Sequence, residues 1–466
     1  MKHRVDIESN MGLLKRELLR RAYNKRDDVN VDRLSRTLVD HPKYGSFARD
    51  VLIRSMWRRG RWKDVVDLCR QWPESDVHSL AERAIRHLER KHPPKKTYPS
   101  ERPPERLGHV DWDAANLHGM WHQVEQRLWF RHPWGWCHWD MPAGWSLEST
   151  HPALIELAAD VLLRPWVKEV MAPLTKGREQ GSRLGLAWSC GVDSTAAMLL
   201  LNDATVLAYH ERDVPSMLDH RNAMHLIMKV QSLGRDVIVI RSDHELIRTN
   251  DDKMIGFSTD YASGVHLILL ADWLELAGVA FGVPIDNTWL QKGRRFRDFS
   301  QSNHWMAWKA RFVEAGLDLV LPINHISEAG ALRIVQASAL ASDVNSCMRG
   351  DGRRGCGRCW KCFHKNGPMG RPYDVSSHEI SRFLSQRPLR TAQHALWALK
   401  NLGLEDLVPD LQPLLKEDLG WWESAFEPGF ELIPDPWRAE VESRTRALLD
   451  VRGPDSPLVK VNLLTE

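Results

Sequence analysis

Between Leu184 and Leu340 short apolar runs take turns with stretches of helical periodicity, and this alternation constrains the fold more tightly than any other feature of the chain. A first strand is expected from Leu184 and a helix from Asp193, with further strands at Ala204–His210, Asp236–Asp243, Val279–Pro284 and Leu317–Ile323. Helices are expected at Ser216–Leu233, Gly264–Ala277, Asn303–Ala315 and Ser327–Leu340. Strands separated by helices cannot close as tight hairpins, so they pair in parallel through right-handed crossovers. Five such strands make an α/β sheet whose ligands bind beyond the carboxyl ends of the strands. Ser189, His210, Glu211, Asp243 and Asp286 are the residues that this places on the functional rim.

The turn joining the first strand to its helix, Trp188-Ser-Cys-Gly-Val-Asp-Ser-Thr195, has the outline of a phosphate cradle. Gly191 permits close backbone approach, successive N–H groups point into one concavity, and the helix N-terminus adds partial positive charge. Ser189, Cys190, Gly191, Val192, Asp193, Ser194 and Thr195 surround the anion in this scheme, with Ser194 and Thr195 lining the first helical turn. A carboxylate beside phosphates is repulsive unless it holds a cation, which gives Asp193 the part of a Mg²⁺ ligand. A plain capped turn is the alternative. No Gly-Lys-Ser/Thr follows, so the turn is not a Walker loop.

Four of the seven cysteines, Cys347, Cys356, Cys359 and Cys362, fall within sixteen residues. Such clustering favours a metal over disulfides. Four thiolates complete a closed tetrahedral zinc site, and the Gly-Arg pair between Cys356 and Cys359 suits a knuckle whose N–H groups reach the sulfurs. An iron–sulfur cluster and free reactive thiols are the competing uses.

The chain shows neither a run of eighteen uncharged apolar residues nor a basic-then-apolar leader, so no membrane span is expected and the address is cytoplasmic. Its net charge of +3 hides an asymmetry, because residues 1–106 hold 26 Lys+Arg against 16 Asp+Glu. Amphipathic helices are expected over residues 1–92, including a tetratricopeptide-like pair at Ser46–Arg59 and Arg61–Trp72 around Gly60, and a helical periodicity at Leu80–Leu88. Their job is docking of a protein partner; contact with nucleic acid is the alternative that the basic excess raises. Prolines make 93–106 an extended linker. Seven tryptophans crowd between Trp112 and Trp145, within a segment 107–170 expected to pack on the core, with a stacking wall for nucleobases as the other use. In the same segment His118 and His122 stand at i, i+4 spacing and could share a metal on a helix. Helices are also expected at His151–Val170 and, in a C-terminal region 371–466, at His378–Gln386, Leu389–Leu402 and Trp437–Val451.

Beyond the fourth strand the run Gln291 to Asp298 carries Lys292, Arg294, Arg295 and Arg297. A loop of this charge hanging over the rim would clamp a departing pyrophosphate, whose charge rises as it leaves.

The Ser189–Ser194 loop resembles the Ser-Gly-Gly-x-Asp-Ser loop of the PP-loop (N-type) ATP pyrophosphatases, with Cys190 where those enzymes have glycine. Taken with Ser346-Cys347 and the spacing Cys-x8-Cys-x2-Cys-x2-Cys, the stretch 184–367 is similar to the 7-cyano-7-deazaguanine synthase family. The resemblance implies a Rossmann-like adenine nucleotide α-hydrolase core over 171–370, with a zinc-binding loop and an all-α N-terminal extension. It further implies ATP-dependent adenylation of a deazapurine-like carboxylate with loss of pyrophosphate, then reaction with ammonia or an amine to give an amide or nitrile, in a homodimeric enzyme. ATP would lie against Ser189, Cys190, Gly191, Val192, Asp193, Ser194, Thr195 and His210; Asp193, Lys292, Arg294 and Arg295 would serve the chemistry; Cys347, Cys356, Cys359 and Cys362 would hold zinc. Two alternatives remain beside it: modification of a tRNA base by a PP-loop enzyme, and a degenerate PP-loop scaffold. The segments 1–170 and 372–466 lie outside the resemblance.

Overall fold

A computed structural model describes residues 2–463 apart from 26, 60, 74–76, 78–79, 82–83, 86–87, 89–102, 215–219, 252, 351 and 353. It separates into two units, Met1–Thr97 and Tyr98–Glu466. Among the described residues no helix is long and apolar enough to cross a membrane.

The N-terminal unit carries the helices α1 (Lys2–Asn24), α2 (Asp28–Arg36), α3 (Gly45–Arg58) and α4 (Trp62–Gln71). Asp27 caps α2 by accepting from the Asn30 N–H at 3.1 Å. Leu19, Val31, Leu34, Leu38 and Val51 bury one apolar cluster, and Ile53, Met56, Val65, Val66 and Cys69 a second. Two arginines at the end of α3 return to α2, with Arg59 reaching both Asp32 oxygens at 2.6 and 3.1 Å. Helices α3 and α4 match the expected pair within a residue. The expected periodicity at Leu80–Leu88 is helical at its described positions, with Ala84 buried and Leu80 and Ile85 packed on the second cluster, while Gly60 and most of the 93–106 linker lie outside the described residues.

The larger unit is built on one sheet. Its strands are β1 (Trp121–Val124), β2 (Arg127–His132), β3 (Gly135–Asp140), β4 (Arg183–Ala187), β5 (Val206–Arg212), β6 (Val237–Ser242), β7 (Leu276–Phe281) and β8 (Asp318–Val320). Their order is β1-β2-β3-β6-β5-β4-β7-β8, and the five strands from β6 to β8 run parallel. Numbered among themselves, the parallel strands are ordered 3-2-1-4-5. That is the doubly wound pattern, whose crevice opens where the order reverses, between β4 and β7. Strand β7 reads Leu-Ala-Gly-Val-Ala-Phe and every residue is buried, as a central strand covered on both faces requires.

The principal helices of the unit are α5 (Pro152–Leu163), α6 (Val192–Leu200), α7 (Arg221–Ser232), α8 (Asn303–Glu314), α9 (Glu328–Gln336), α10 (His378–Ser385), α11 (Ala392–Asn401) and α12 (Asp435–Leu448). Ser302 caps α8 and Ser327 caps α9 through their hydroxyls. The helix expected over Gly264–Ala277 is shorter, Val265–Leu269, and β7 starts three residues before the expected Val279. An apolar run at this point satisfies both periods, and burial on both faces decides for strand.

The tryptophan-rich segment forms an antiparallel meander, β1–β3, that joins the parallel sheet where Trp139 pairs with Ser242. Trp121 stacks on Phe130 at 4.1 Å, and Trp121, Trp129, Trp139 and Trp145 are all buried. These rings pack, and they do not wall a substrate. His118 lies in a single 3-10 turn and bonds Glu156 at 3.1 Å while His122 lies on β1, so the helix face that would have paired them is absent.

Candidate functional site

Beyond the carboxyl ends of β4, β5 and β7 lies a cleft of about 520 Å³, at the reversal point of the sheet. The cradle loop forms its floor. The Ser189 N–H donates to Ser194 Oγ at 3.1 Å and the two hydroxyls stand 3.0 Å apart, closing the turn over the start of α6. Gly282, just after β7, supports the same turn from behind: a Cβ there would stand 2.7 Å from Ser194 Cα and 2.9 Å from its nitrogen. Only glycine lets the two backbones approach so closely.

Cys190 adopts φ 60°, in the left-handed region, and its side chain is buried against the Ala223 carbonyl at 3.9 Å. A residue with Cβ costs about 1–2 kcal/mol there, a conformation that glycine would adopt without strain. Burial pushes the Cys190 thiol well above its ordinary value, so it stays protonated.

Of the expected ATP-binding residues, Ser189, Gly191, Asp193, Ser194 and His210 line the cleft, whereas Cys190, Val192 and Thr195 stand behind it. The Thr195 hydroxyl accepts from Trp188 Nε1 at 3.2 Å, and the Val192 N–H, an orphan donor of the first turn of α6, is taken by Ser346 Oγ at 3.1 Å. His210 packs on His244 and Phe257, and burial followed by the neighbouring histidines holds its pKa well below the usual range. It is therefore a neutral ring at physiological pH.

Asp193 is paired with Lys365, whose ammonium also lies 3.5 Å from Glu328 Oε2. Burial works against the charge on Lys365, but the two carboxylates outweigh it and raise its pKa. Burial raises Asp193 against the pull of Lys365, and raises Asp286 well above the carboxylate range with help from the Glu328 charge. The Asp286 carboxyl accepts from the Glu328 N–H at 2.9 Å. Lys365 supplies the neutralisation for which a cation on Asp193 was expected. Glu328 also has His364 at 3.4 Å and His394 at 3.6 Å, a set able to hold a metal by composition. The ammonium beside Glu328 and the 2.8 Å bond from His394 Nε2 to the His364 carbonyl fill that role instead. Replacing Lys365 by methionine leaves the buried Glu328 carboxylate and the half-buried Asp193 without their ammonium, and is expected to cost about 3 kcal/mol in urea unfolding, partly recovered in the double variant with Asp193→Asn.

The four cysteines converge. Sulfur–sulfur separations are 3.6 Å for Cys347–Cys356, 3.5 Å for Cys347–Cys359, 3.9 Å for Cys356–Cys362 and 3.7 Å for Cys359–Cys362. Zn–S bonds of about 2.3 Å in a tetrahedron set sulfurs about 3.8 Å apart, so the cluster has the size to hold zinc. The Gly357 N–H points at Cys362 Sγ from 3.3 Å and the Cys356 N–H at Cys347 Sγ from 3.4 Å, the donors a knuckle provides. Gly357, at φ 68°, turns the chain between them. Cys347 and Cys359 line the cleft, and Cys362 opens the helical turn that carries Lys365. Ser346, next to Cys347, is the residue that caps Val192. The cysteine-bearing segment therefore holds the cradle at two points.

The basic loop lies elsewhere. Lys292, Arg294, Arg295 and Arg297 are not among the residues lining the cleft. Residues Leu290–Gln291 and Arg295–Phe296 pair as a short hairpin, and Arg295 bridges to Asn462. Arg294 donates to the carbonyls of Leu389 and Pro388 at 2.8 and 3.1 Å, and Arg297 to those of Thr288 and Asn287 at 2.7 and 2.9 Å. These guanidiniums fasten backbone of the C-terminal region and of their own loop. Glu211, Asp243 and Asp286 also stay off the cleft, with Asp243 buried against the His138 N–H at 2.7 Å.

Among protein families, residues 307–456 match one described as a family of unknown function, DUF6395. That span includes the cysteine cluster and Lys365 and leaves out the cradle loop. No curated protein and no solved structure matches the chain.

Proposed function

We propose that the cleft binds ATP and activates a planar, deazapurine-like carboxylate as its acyl-adenylate, in the manner of the 7-cyano-7-deazaguanine synthases and on an adenine nucleotide α-hydrolase core. A substrate carboxylate oxygen attacks the α-phosphorus, the bond to the bridging oxygen breaks, and that oxygen leaves on pyrophosphate. Ammonia or another amine then adds to the acyl carbon, AMP departs with the carboxylate oxygen, and the amine loses a proton to give the amide. A second ATP, spent on the amide oxygen, would yield the nitrile. Such chemistry asks the protein for positioning and charge rather than for a nucleophile of its own.

One observation carries the proposal: two motifs far apart in sequence meet at one cleft, with the cradle loop at the sheet reversal bonded through Val192 N–H to Ser346, beside the zinc-sized cysteine cluster. Zinc held by Cys347, Cys356, Cys359 and Cys362 would brace the wall of the pocket, a structural part that needs no open coordination position. Mg²⁺ would travel with the nucleotide, since Asp193 already has Lys365.

Metal-replete protein incubated with Mg-ATP, 7-carboxy-7-deazaguanine and ammonia is expected to release AMP and pyrophosphate together with amide or nitrile, read by mass spectrometry. Pyrophosphate release indifferent to every carboxylate offered, or its absence, would sink the proposal.

A further inference from the structure

With the 292–297 loop turned away, the cleft draws its positive charge from other residues. Arg212, Arg349, Lys361 and Lys365 line it. Arg212 Nε donates to Glu245 Oε1 at 2.7 Å and Arg349 Nη1 to Glu379 Oε2 at 2.7 Å. Lys365 is held between Asp193 and Glu328. Lys361 differs from all three: no ion pair or side-chain hydrogen bond engages it among the described residues, it is exposed, and its ammonium stands 6.0 Å from the Trp360 ring centroid. It sits between Cys359 and Cys362, so the metal site fixes its backbone, and one turn separates it from Lys365, which closes the cradle through Asp193.

Resting on the ATP reading above, we infer that Lys361 is the polyphosphate contact of this cleft: a catalytic residue, carried by the cysteine loop, that meets the phosphates of bound ATP and holds the pyrophosphate as it leaves. An unpaired ammonium at the rim costs nothing to redirect, whereas Arg212, Arg349 and Lys365 must each first abandon a carboxylate. A compact point charge also suits a group that shifts position as the bond to the α-phosphate breaks. The attraction grows along the reaction, because the departing group gains negative charge. In the same cleft the cradle's N–H groups and hydroxyls offer hydrogen bonds to the phosphate they surround, while Lys361 supplies the net charge that the paired cations withhold.

Calorimetric titration of the full zinc-loaded chain with Mg-ATP, inorganic pyrophosphate and AMP tests this, alongside Lys361→Gln and Lys361→Arg. Loss of one charge-assisted contact is expected to weaken ATP and pyrophosphate binding to Lys361→Gln about 10- to 100-fold, with AMP binding and zinc content unchanged and Lys361→Arg close to the parent. Equal binding of pyrophosphate by the parent and Lys361→Gln overturns the assignment and leaves the ATP reading standing, as does an equal loss of AMP and ATP affinity. A parent that binds neither ATP nor pyrophosphate overturns both.

Discussion

If the four cysteines hold zinc, Cys362→Ser is expected to lower the metal content below that of the parent and to release the cleft wall before the rest of the fold. Cys362 is fully buried and its sulfur stands 3.7 Å from Cys359 and 3.9 Å from Cys356, at the centre of the cluster. Hydrogen bonds from the Cys359 and Cys362 thiols hold Cys347 far below its ordinary pKa and hold Cys359 and Cys362 above theirs, so a metal entering the cluster would displace the protons that the sulfurs share. Structural zinc contributes about 10–16 kcal/mol where it folds a small peptide. In a domain this size the penalty would appear as local opening, since the parallel sheet has its own core. Two links should break with the metal: Ser346 from the Val192 N–H, and Lys365 from Asp193. Hydrogen exchange should therefore rise in 345–366 and in 189–195 together, with β7 unchanged and the melting temperature lower. A metal-free variant whose exchange matched the parent in both segments would refute the coupling.

Acid should unfold the larger unit well before its carboxylates are protonated. Burial is the first cause that holds His132, His244 and His325 to about 3 and His266 and His394 to about 4, and it places His210 well below the ordinary value too. These six rings stay neutral in the folded chain while an unfolded chain protonates them near pH 6.5. Below that pH the unfolded state binds more protons, so stability falls as pH falls, by about 1.4 kcal/mol per pH unit for each ring until its folded pKa is reached. His138, raised by the Asp243 carboxylate against the effect of burial, opposes the trend as one group against six. Urea midpoints measured from pH 7.5 to 5 should drop steeply. His325→Gln, remote from the cysteines and bonded to Thr445 at 3.0 Å, should flatten the slope by about one proton without touching the metal. A midpoint independent of pH over that range would count against neutral burial of these rings.

The parallel strands were legible because an apolar run bounded by turn residues has few other uses in an alternating chain, and all five lie within three residues of their expected starts. The meander was not. Tryptophan fits either period, and the readable signal was the turn His132-Pro-Trp-Gly135 between two aromatic runs, which Gly135 closes with φ 156°. The cysteine spacing specified its cluster because four thiols within sixteen residues can hardly avoid one another. Lys365 was visible only as a lysine three residues beyond the last cysteine; its partnership with Asp193 spans 172 positions, which no local pattern reports. The basic loop misled for the opposite reason. A count of arginines says nothing of carbonyls, and those of Pro388 and Leu389 claim Arg294 from almost a hundred residues away.

The meander has a consequence for self-association. Strand β6 would end the parallel sheet with a six-residue row of backbone donors and acceptors. The meander meets that row at one register pair, Trp139 with Ser242 at its carboxyl end, so it leaves 237–241 without a ladder partner in β3. The outermost strands, β1 and β8, are only four and three residues long, and short terminal strands make poor templates for a strand from a second molecule. Backbone pairing between copies of this chain would therefore favour the outer side of β6 over either end strand.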